Sequence, residues 1–221
     1  DNLFTFLIFY EMLTLSTYPL VVHNGTQQAL NAGRVYLRYT LSAGVVLLLA
    51  AVLLYTLTGD QSFSSEEGLG DYLNDHRGLL TLIFILLVGG LGVKAAMVPL
   101  HGWLPRAMVA PAPVSALLHA VAVVKAGAFG ILRVVYDLYG IELSVELGVI
   151  SGLAVAASIT IIYGSLRAIA QQELKPLLAF STVSQVSYII LGIGIFGPFG
   201  TVGAMAHLLH QGLMKVTLFF C

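Results

Sequence analysis

From residue 176 to residue 214 the chain contains no Asp, Glu, Lys or Arg, and the same holds for residues 39–59 and 147–166. A helix that crosses a bilayer needs about 20 mostly apolar residues. Windows this long and this free of charge cannot cover a water-soluble domain. Apolar types make up 58% of the residues and charged types only 10%, against about 25% in soluble domains. The expected fold is therefore all-α, a polytopic membrane bundle without β-alternation or a soluble-length loop. The 10 basic and 11 acidic residues nearly cancel, which argues against a nucleic-acid partner. Cys221 is the one cysteine, so neither an internal disulfide nor a thiolate metal site is open to the chain. Both ends lie in apolar runs, which reads as a piece of a longer polytopic protein.

Seven spans are expected, at about 3–22, 39–59, 79–99, 114–136 and 147–166. The long stretch after residue 176 makes two more, divided at the Gly- and Pro-rich 192–200 segment, with the seventh cut short. The connections after spans one, three and five hold Arg34, Arg38, Arg106, Arg167 and Lys175. Those after spans two, four and six hold Arg77 and Arg133, with Asp60, Glu66, Glu67, Asp71 and Asp75. By the positive-inside bias the first set is cytoplasmic and residue 1 starts on the outer side of the cell's inner (plasma) membrane. The 59–75 segment reads as a solvated outer loop.

Four ionisable residues then fall inside apolar spans: Glu11, Lys94, Lys125 and Lys215. Each costs about 2.5–3.5 kcal/mol at mid-membrane on insertion scales, and such residues are functional-site hypotheses by default. Structural ion pairing or snorkelling is the bland alternative. Burial disfavours the charged form of an amine and a nearby carboxylate favours it, so a lysine whose carboxylate partner moves can load and release a proton. Glu11 is the one acid deep in a span and the natural partner.

His207, Gln211 and Lys215 recur at i, i+4, i+8, with His210 at i+3 from His207, placing them on one helical face. His119 precedes Lys125 by six residues. Histidine suits a proton relay. Two histidines one turn apart do not close a metal or haem site, so no metal and no cofactor is expected, nor any catalytic residue in the enzymatic sense. Gly89, Gly90 and Gly92 crowd against Lys94, and Pro99, Pro105, Pro111 and Pro113 follow. Gly and Pro weaken helices, and a discontinuous helix beside a buried charge is a transporter pattern. Gly92, Pro99 and Pro105 are the expected helix-break residues. Gly127 with Gly130, and Gly148 with Gly152, read as close-packing faces, and Trp103 as an interfacial anchor.

The run Gly92-Val93-Lys94-Ala95-Ala96-Met97-Val98-Pro99-Leu100-His101-Gly102-Trp103-Leu104-Pro105-Arg106-Ala107 continues to Pro111-Ala112-Pro113-Val114-Ser115-Ala116-Leu117-Leu118-His119-Ala120. Together with Glu173 through Gln185 and His207 through Lys215, it resembles the antiporter-like membrane subunits. These are shared by respiratory complex I, Mrp-type multisubunit sodium/proton antiporters and membrane-bound hydrogenases. The resemblance implies a fourteen-helix subunit with two inverted five-helix repeats, of which residues 1–221 form one domain's helices five to eleven. It implies proton-translocation roles for Glu11, Lys94, His119, Lys125, Lys175, His207 and Lys215. Gln211 stands where some members have a second His, and Pro176 where many have Arg. Implied partners are other membrane subunits, lipid and protons, with Na+ in the Mrp setting. Lys125 with Gly130-Ile131-Leu132-Arg133 leans toward the Mrp D-like branch. The alternatives are a proton-pumping subunit of an NADH:quinone oxidoreductase or hydrogenase complex, whose enzymatic activity would belong to the parent complex, and a structural membrane scaffold.

Overall fold

The structure, a computed structural model, describes residues 2–59, 63 and 69–221. Asp60, Glu66 and Glu67, assigned above to an outer loop, lie outside the described residues. Every regular element among the described residues is helical. Three long helices come first: α1 (Leu3–Val21), α2 (Gln27–Thr58) and α3 (Leu73–Lys94). A broken stretch follows, with the short α4 (Trp103–Arg106) and α5 (Ala112–Ala116). Then come α6 (Val123–Arg133), α7 (Gly140–Glu146), α8 (Val149–Ile169), α9 (Leu174–Gly194) and α10 (Pro198–Phe220).

The helix starts follow local chemistry. The Asn2 side chain accepts the Thr5 N–H at 2.7 Å, and the Thr26 hydroxyl accepts the Ala29 N–H at 3.2 Å. Each satisfies an orphan donor of a first turn. Gly59, at φ 71°, ends α2 in the left-handed region that glycine enters without a Cβ penalty.

Six stretches are long and apolar enough to cross a membrane: Leu3–Val21, Gln27–Thr58, Asp75–Lys94, Ala112–Glu146, Val149–Ile169 and Leu174–Gly194. The seventh expected span is α10. Its 23 residues suffice in length, but His207, His210, Gln211 and Lys215 dilute its apolarity. Large apolar side chains such as Phe9, Val45, Ile162 and Leu213 point outward along these helices. An outer face of this kind is what a lipid environment requires. Arg34 and Arg38, assigned from the sequence to a connection, lie within α2, which begins twelve residues earlier than its charge-free window.

Arg106 and Lys175, from two of the expected basic connections, meet at one end of the bundle. Gln28, Asn31, Arg106, Glu173 and Lys175 line one crevice of about 410 Å³. At the other end, Arg77 donates to the Glu146 carbonyl at 2.7 Å and Arg133 pairs with Asp137 at 3.0 Å.

The bundle packs α1 on α2, α2 on α3, α3 on α6, α8 on α9 and α9 on α10. Small residues set the closest approaches. A Cβ on Gly164 would lie 2.8 Å from the Ser184 nitrogen, and one on Gly127 would overlap the backbone of Leu91, Lys94 and Ala95. Gly130 lies against the side chains of Leu91 and Phe6. The second expected glycine pair does not pack: Gly148 is a left-handed turn at φ 72° before α8, and Gly152 faces open space.

Gly127→Ala should therefore destabilise the detergent-solubilised full-length subunit by about 1–3 kcal/mol. Gly152→Ala should stay within about 0.5 kcal/mol. Thermal unfolding of the two variants side by side checks the contrast.

Candidate functional site

The break in the third span is placed by backbone geometry, not by the glycines that precede it. Gly89, Gly90 and Gly92 are all helical, and α3 continues through them to Lys94. Gly90 instead admits α2, since a Cβ there would collide with Leu47 and come within 3.0 Å of the Ala43 carbonyl. The chain leaves the helix after Lys94. Ala96 takes φ 57°, a strained conformation for a residue with a side chain. Pro99 follows, and Pro105 sits inside the single turn of α4.

The carbonyls freed at this end are met locally. Leu91 O accepts the Ala95 N–H at 3.0 Å and Gly92 O the Met97 N–H at 2.9 Å. Val93 O accepts Trp103 Nε1–H at 2.7 Å. Trp103 is thus wholly buried, its ring 5.2 Å from Tyr36, and it pins the break in place. The interfacial-anchor reading is corrected: the indole N–H has an acceptor inside the bundle.

Lys94 is the last residue of α3, where the helix dipole favours a cation, and its side chain is fully buried. Its ammonium donates to the Tyr10 carbonyl, lies 3.3 Å from the Tyr10 ring centroid, and stands 3.9 Å from Glu11 Oε1. The Glu11 side chain is one-quarter exposed, and neither carboxylate oxygen has a hydrogen-bond partner. The two residues named from the sequence are brought together, in a loose pair that is not a close bidentate bridge.

A second cluster forms between α6, α9 and α10. Lys125 donates to the Leu208 carbonyl at 2.6 Å. Lys215 donates to the Ser181 hydroxyl and to the Leu178 carbonyl at 3.3 Å. His119 is fully buried on a π-helical turn (Leu117–Val121), which the Ala122 N–H closes on Leu117 O at 2.9 Å. Such turns are frequent at functional sites. Its ring lies 5.6 Å from that of Phe219, and it is within electrostatic reach of Lys215. His207 is half-buried and within reach of Lys125. Gln211 is fully buried. Both ring nitrogens of His119, both amide atoms of Gln211 and Nε2 of His207 have no hydrogen-bond partner. Buried polar atoms are ordinarily satisfied, so these unpartnered atoms set the cluster apart from an ordinary core.

The two clusters meet through α6. Gly127 rests on the backbone at Lys94, and two residues before it Lys125 reaches α10. Lys175 stands apart: it is exposed at the start of α9, donates to the Ala110 carbonyl at 3.2 Å, and lines the polar crevice at that end. His210 is exposed, so the face of α10 turned inward carries His207, Gln211 and Lys215 without it.

Three participants had no signal of their own in the sequence. Tyr10 supplies a carbonyl and a ring face to Lys94, Ser181 an acceptor to Lys215, and Gly44 the space beside Glu11. Each acts through a position visible only once the helices pack.

Comparison with known proteins bears on this arrangement. The family described as "NADH:quinone oxidoreductase/Mrp antiporter, TM" matches residues 1–221. Hydrogenase-4 component B of Escherichia coli (strain K12) is 36% identical over 99% of the chain, which covers 34% of that protein. The putative antiporter subunit mnhA2 of Staphylococcus aureus (strain MSSA476) is 34% identical over 99% of the chain, which covers 28% of it. The chain thus spans about a third of the length of these relatives. Among solved structures, a chain of the Mrp complex from Dietzia sp. DQ12-45-1b superposes with a TM-score of 0.89 at 29% identity, over 99% of this chain and 40% of that one. A chain of an archaeal membrane-bound sulfane sulfur reductase shares the fold, with a TM-score of 0.87 at 24% identity, over the whole of this chain and 44% of that one.

Trp103→Phe keeps the ring contact with Tyr36 and removes the donor to Val93 O. Val93 O keeps the Ala96 N–H at 3.1 Å, so the loss should be that of one buried hydrogen bond, about 0.5–1.5 kcal/mol. Thermal unfolding of the solubilised subunit checks this, and an unchanged midpoint would deny the indole its pinning role.

Proposed function

The chain belongs to the NADH:quinone oxidoreductase/Mrp antiporter transmembrane family, and from that membership we propose that it carries protons across the membrane as part of a multisubunit cation/proton antiporter. In this reading the proton path runs from Glu11 and Lys94 through Lys125 and His119 toward His207 and Lys215, with Lys175 serving the polar crevice at one end.

One observation carries the reading. Lys94, Lys125 and Lys215 are all buried, yet their ammonium groups are held by backbone carbonyls and a hydroxyl. Of these three lysines only Lys94 has a carboxylate among the described residues within 4.0 Å, and that one at the outer edge of pairing distance. A scaffold that buried charge for assembly would match each cation with an anion, because an unpaired buried charge is strongly destabilising. A proton carrier needs the opposite: amines whose neutral form is accessible and whose partners can be exchanged.

The geometry supports a sequence of steps. When the Glu11 carboxylate approaches, the Lys94 ammonium is favoured. When it withdraws, desolvation favours release of the proton. The carbonyl of Leu208 and the hydroxyl of Ser181 orient the ammonium groups of Lys125 and Lys215 without fixing their charge. His119, with both ring nitrogens unpartnered, and His207, with Nε2 unpartnered, can each take up and pass on a proton. Irregular backbone at membrane depth, such as the turns after Lys94, is tolerated where it lines such a path.

The remaining assignments belong to the same proposal: a plasma-membrane location, residue 1 on the outer side, other membrane subunits as partners, and Na+ as a possible counter-ion. A second reading, a redox-driven pump subunit, draws on the 36% identity to Hydrogenase-4 component B. Both readings use the same buried residues and differ in what drives them.

Lys94→Ala and Glu11→Gln, each in the full-length subunit of the assembled complex, should lower proton transport roughly tenfold or more while the complex still assembles. Normal flux in either would sink the path, and lost assembly in both would favour the scaffold. Lys175→Ala, at an exposed position, should lower flux far less than Lys94→Ala in the same vesicle assay.

A further inference from the structure

Gly44 lies mid-way along α2, flanked by no turn and with ordinary helical backbone. A side chain there would meet one thing first. The three atoms nearest an ideal Cβ all belong to Glu11: Oε1 at 2.6 Å, Cδ at 2.7 Å and Cγ at 3.3 Å. The closest of these is about 0.8 Å short of ordinary contact. The bare surface of α2 at Gly44 is therefore the seat on which the Glu11 carboxylate rests as it faces Lys94 at 3.9 Å.

This sets Gly44 apart from Gly127 and Gly164. At Gly127 and Gly164 an added methyl would strike backbone of a neighbouring helix, which cannot yield without moving the helix. At Gly44 it would strike the far end of a flexible side chain. The helices can stay, and the carboxylate must leave. Ala43 and Gly90, which flank this seat, keep α2 and α3 in register, and the Tyr10 hydroxyl donates to Gly90 O at 3.4 Å.

We infer that Gly44 is a positioning residue, whose missing side chain holds the Glu11 carboxylate at its working distance from Lys94. The inference rests on the proton-translocation reading for its functional consequence, but not for its geometry.

The test is a double-mutant cycle in the full-length subunit of the assembled complex. Gly44→Ala should assemble and should lose proton transport toward the level of Glu11→Gln. Glu11→Asp withdraws the carboxylate by one methylene and relieves the clash, so Glu11→Asp/Gly44→Ala should transport better than Gly44→Ala alone. If Gly44→Ala fails to assemble, the aspartate variant should restore assembly, and failure to do so overturns the inference. A double variant no better than Gly44→Ala also overturns it, because the methyl would then be acting on helix packing. A second readout does not depend on transport. Modification of Glu11 by a hydrophobic carbodiimide in native membranes should change in rate in Gly44→Ala, and an unchanged rate overturns the inference. If Glu11→Gln proves to transport normally, the translocation reading fails, and the labelling rate alone then decides whether Gly44 seats the carboxylate.

Discussion

An ammonium group inside a membrane bundle must find oxygen, and in this chain nearly all of that oxygen is backbone. Lys94 reaches the Tyr10 carbonyl, Lys125 that of Leu208, and Lys215 that of Leu178 together with the Ser181 hydroxyl. A helix interior offers few free carbonyls, because its hydrogen-bond ladder uses them. The architecture around each lysine can be understood as a way of bringing an amine against a neighbouring helix closely enough to share one. Carbonyls soften the desolvation of the amine but do not lock its charge as a carboxylate would. The one carboxylate supplied is Glu11, at 3.9 Å and without hydrogen bonds of its own.

Small residues make these approaches possible. Gly127 lets α6 lie on the end of α3, which puts Lys125 on a helix in direct contact with the Lys94 backbone. Gly212 lets α10 approach the Ala120 carbonyl and the Lys125 side chain. The broken stretch after α3 is held by specific contacts, above all Trp103 on the Val93 carbonyl and Thr160 on the Val98 N–H at 3.2 Å. A discontinuity secured in this way is a fixed part of the fold, and it lies directly after the buried Lys94.

The bundle was legible in the sequence because the charge-free windows and the apolar rise of a helix are set by the same bilayer thickness. Glu11, Lys94, Lys125 and Lys215 were legible as costly exceptions to those windows, and the i, i+4, i+8 spacing correctly put Gln211 and Lys215 on the inner face of α10. What sequence could not give is which of several signals prevails when they compete. Gly89, Gly90 and Gly92 weaken a helix in isolation, but all three stay helical, Gly90 packed against α2, and the break moves to Ala96. Trp103 has the character of an interfacial residue, but a free carbonyl ten residues upstream takes its N–H inside. His119 lies on a π turn whose extra residue no periodicity announces. Gly44 carries no chemistry until Glu11 is set against it.

In the path we propose, the Glu11 carboxylate changes its position and environment as Lys94 takes up and releases a proton. Infrared difference spectroscopy of the assembled complex, compared at rest and under a proton-motive force, reads this most directly. A carboxyl stretching band that shifts on energisation and vanishes in Glu11→Gln is the predicted result. A spectrum in which no carboxyl band assignable to Glu11 changes, in a complex shown to be translocating protons, would contradict the account.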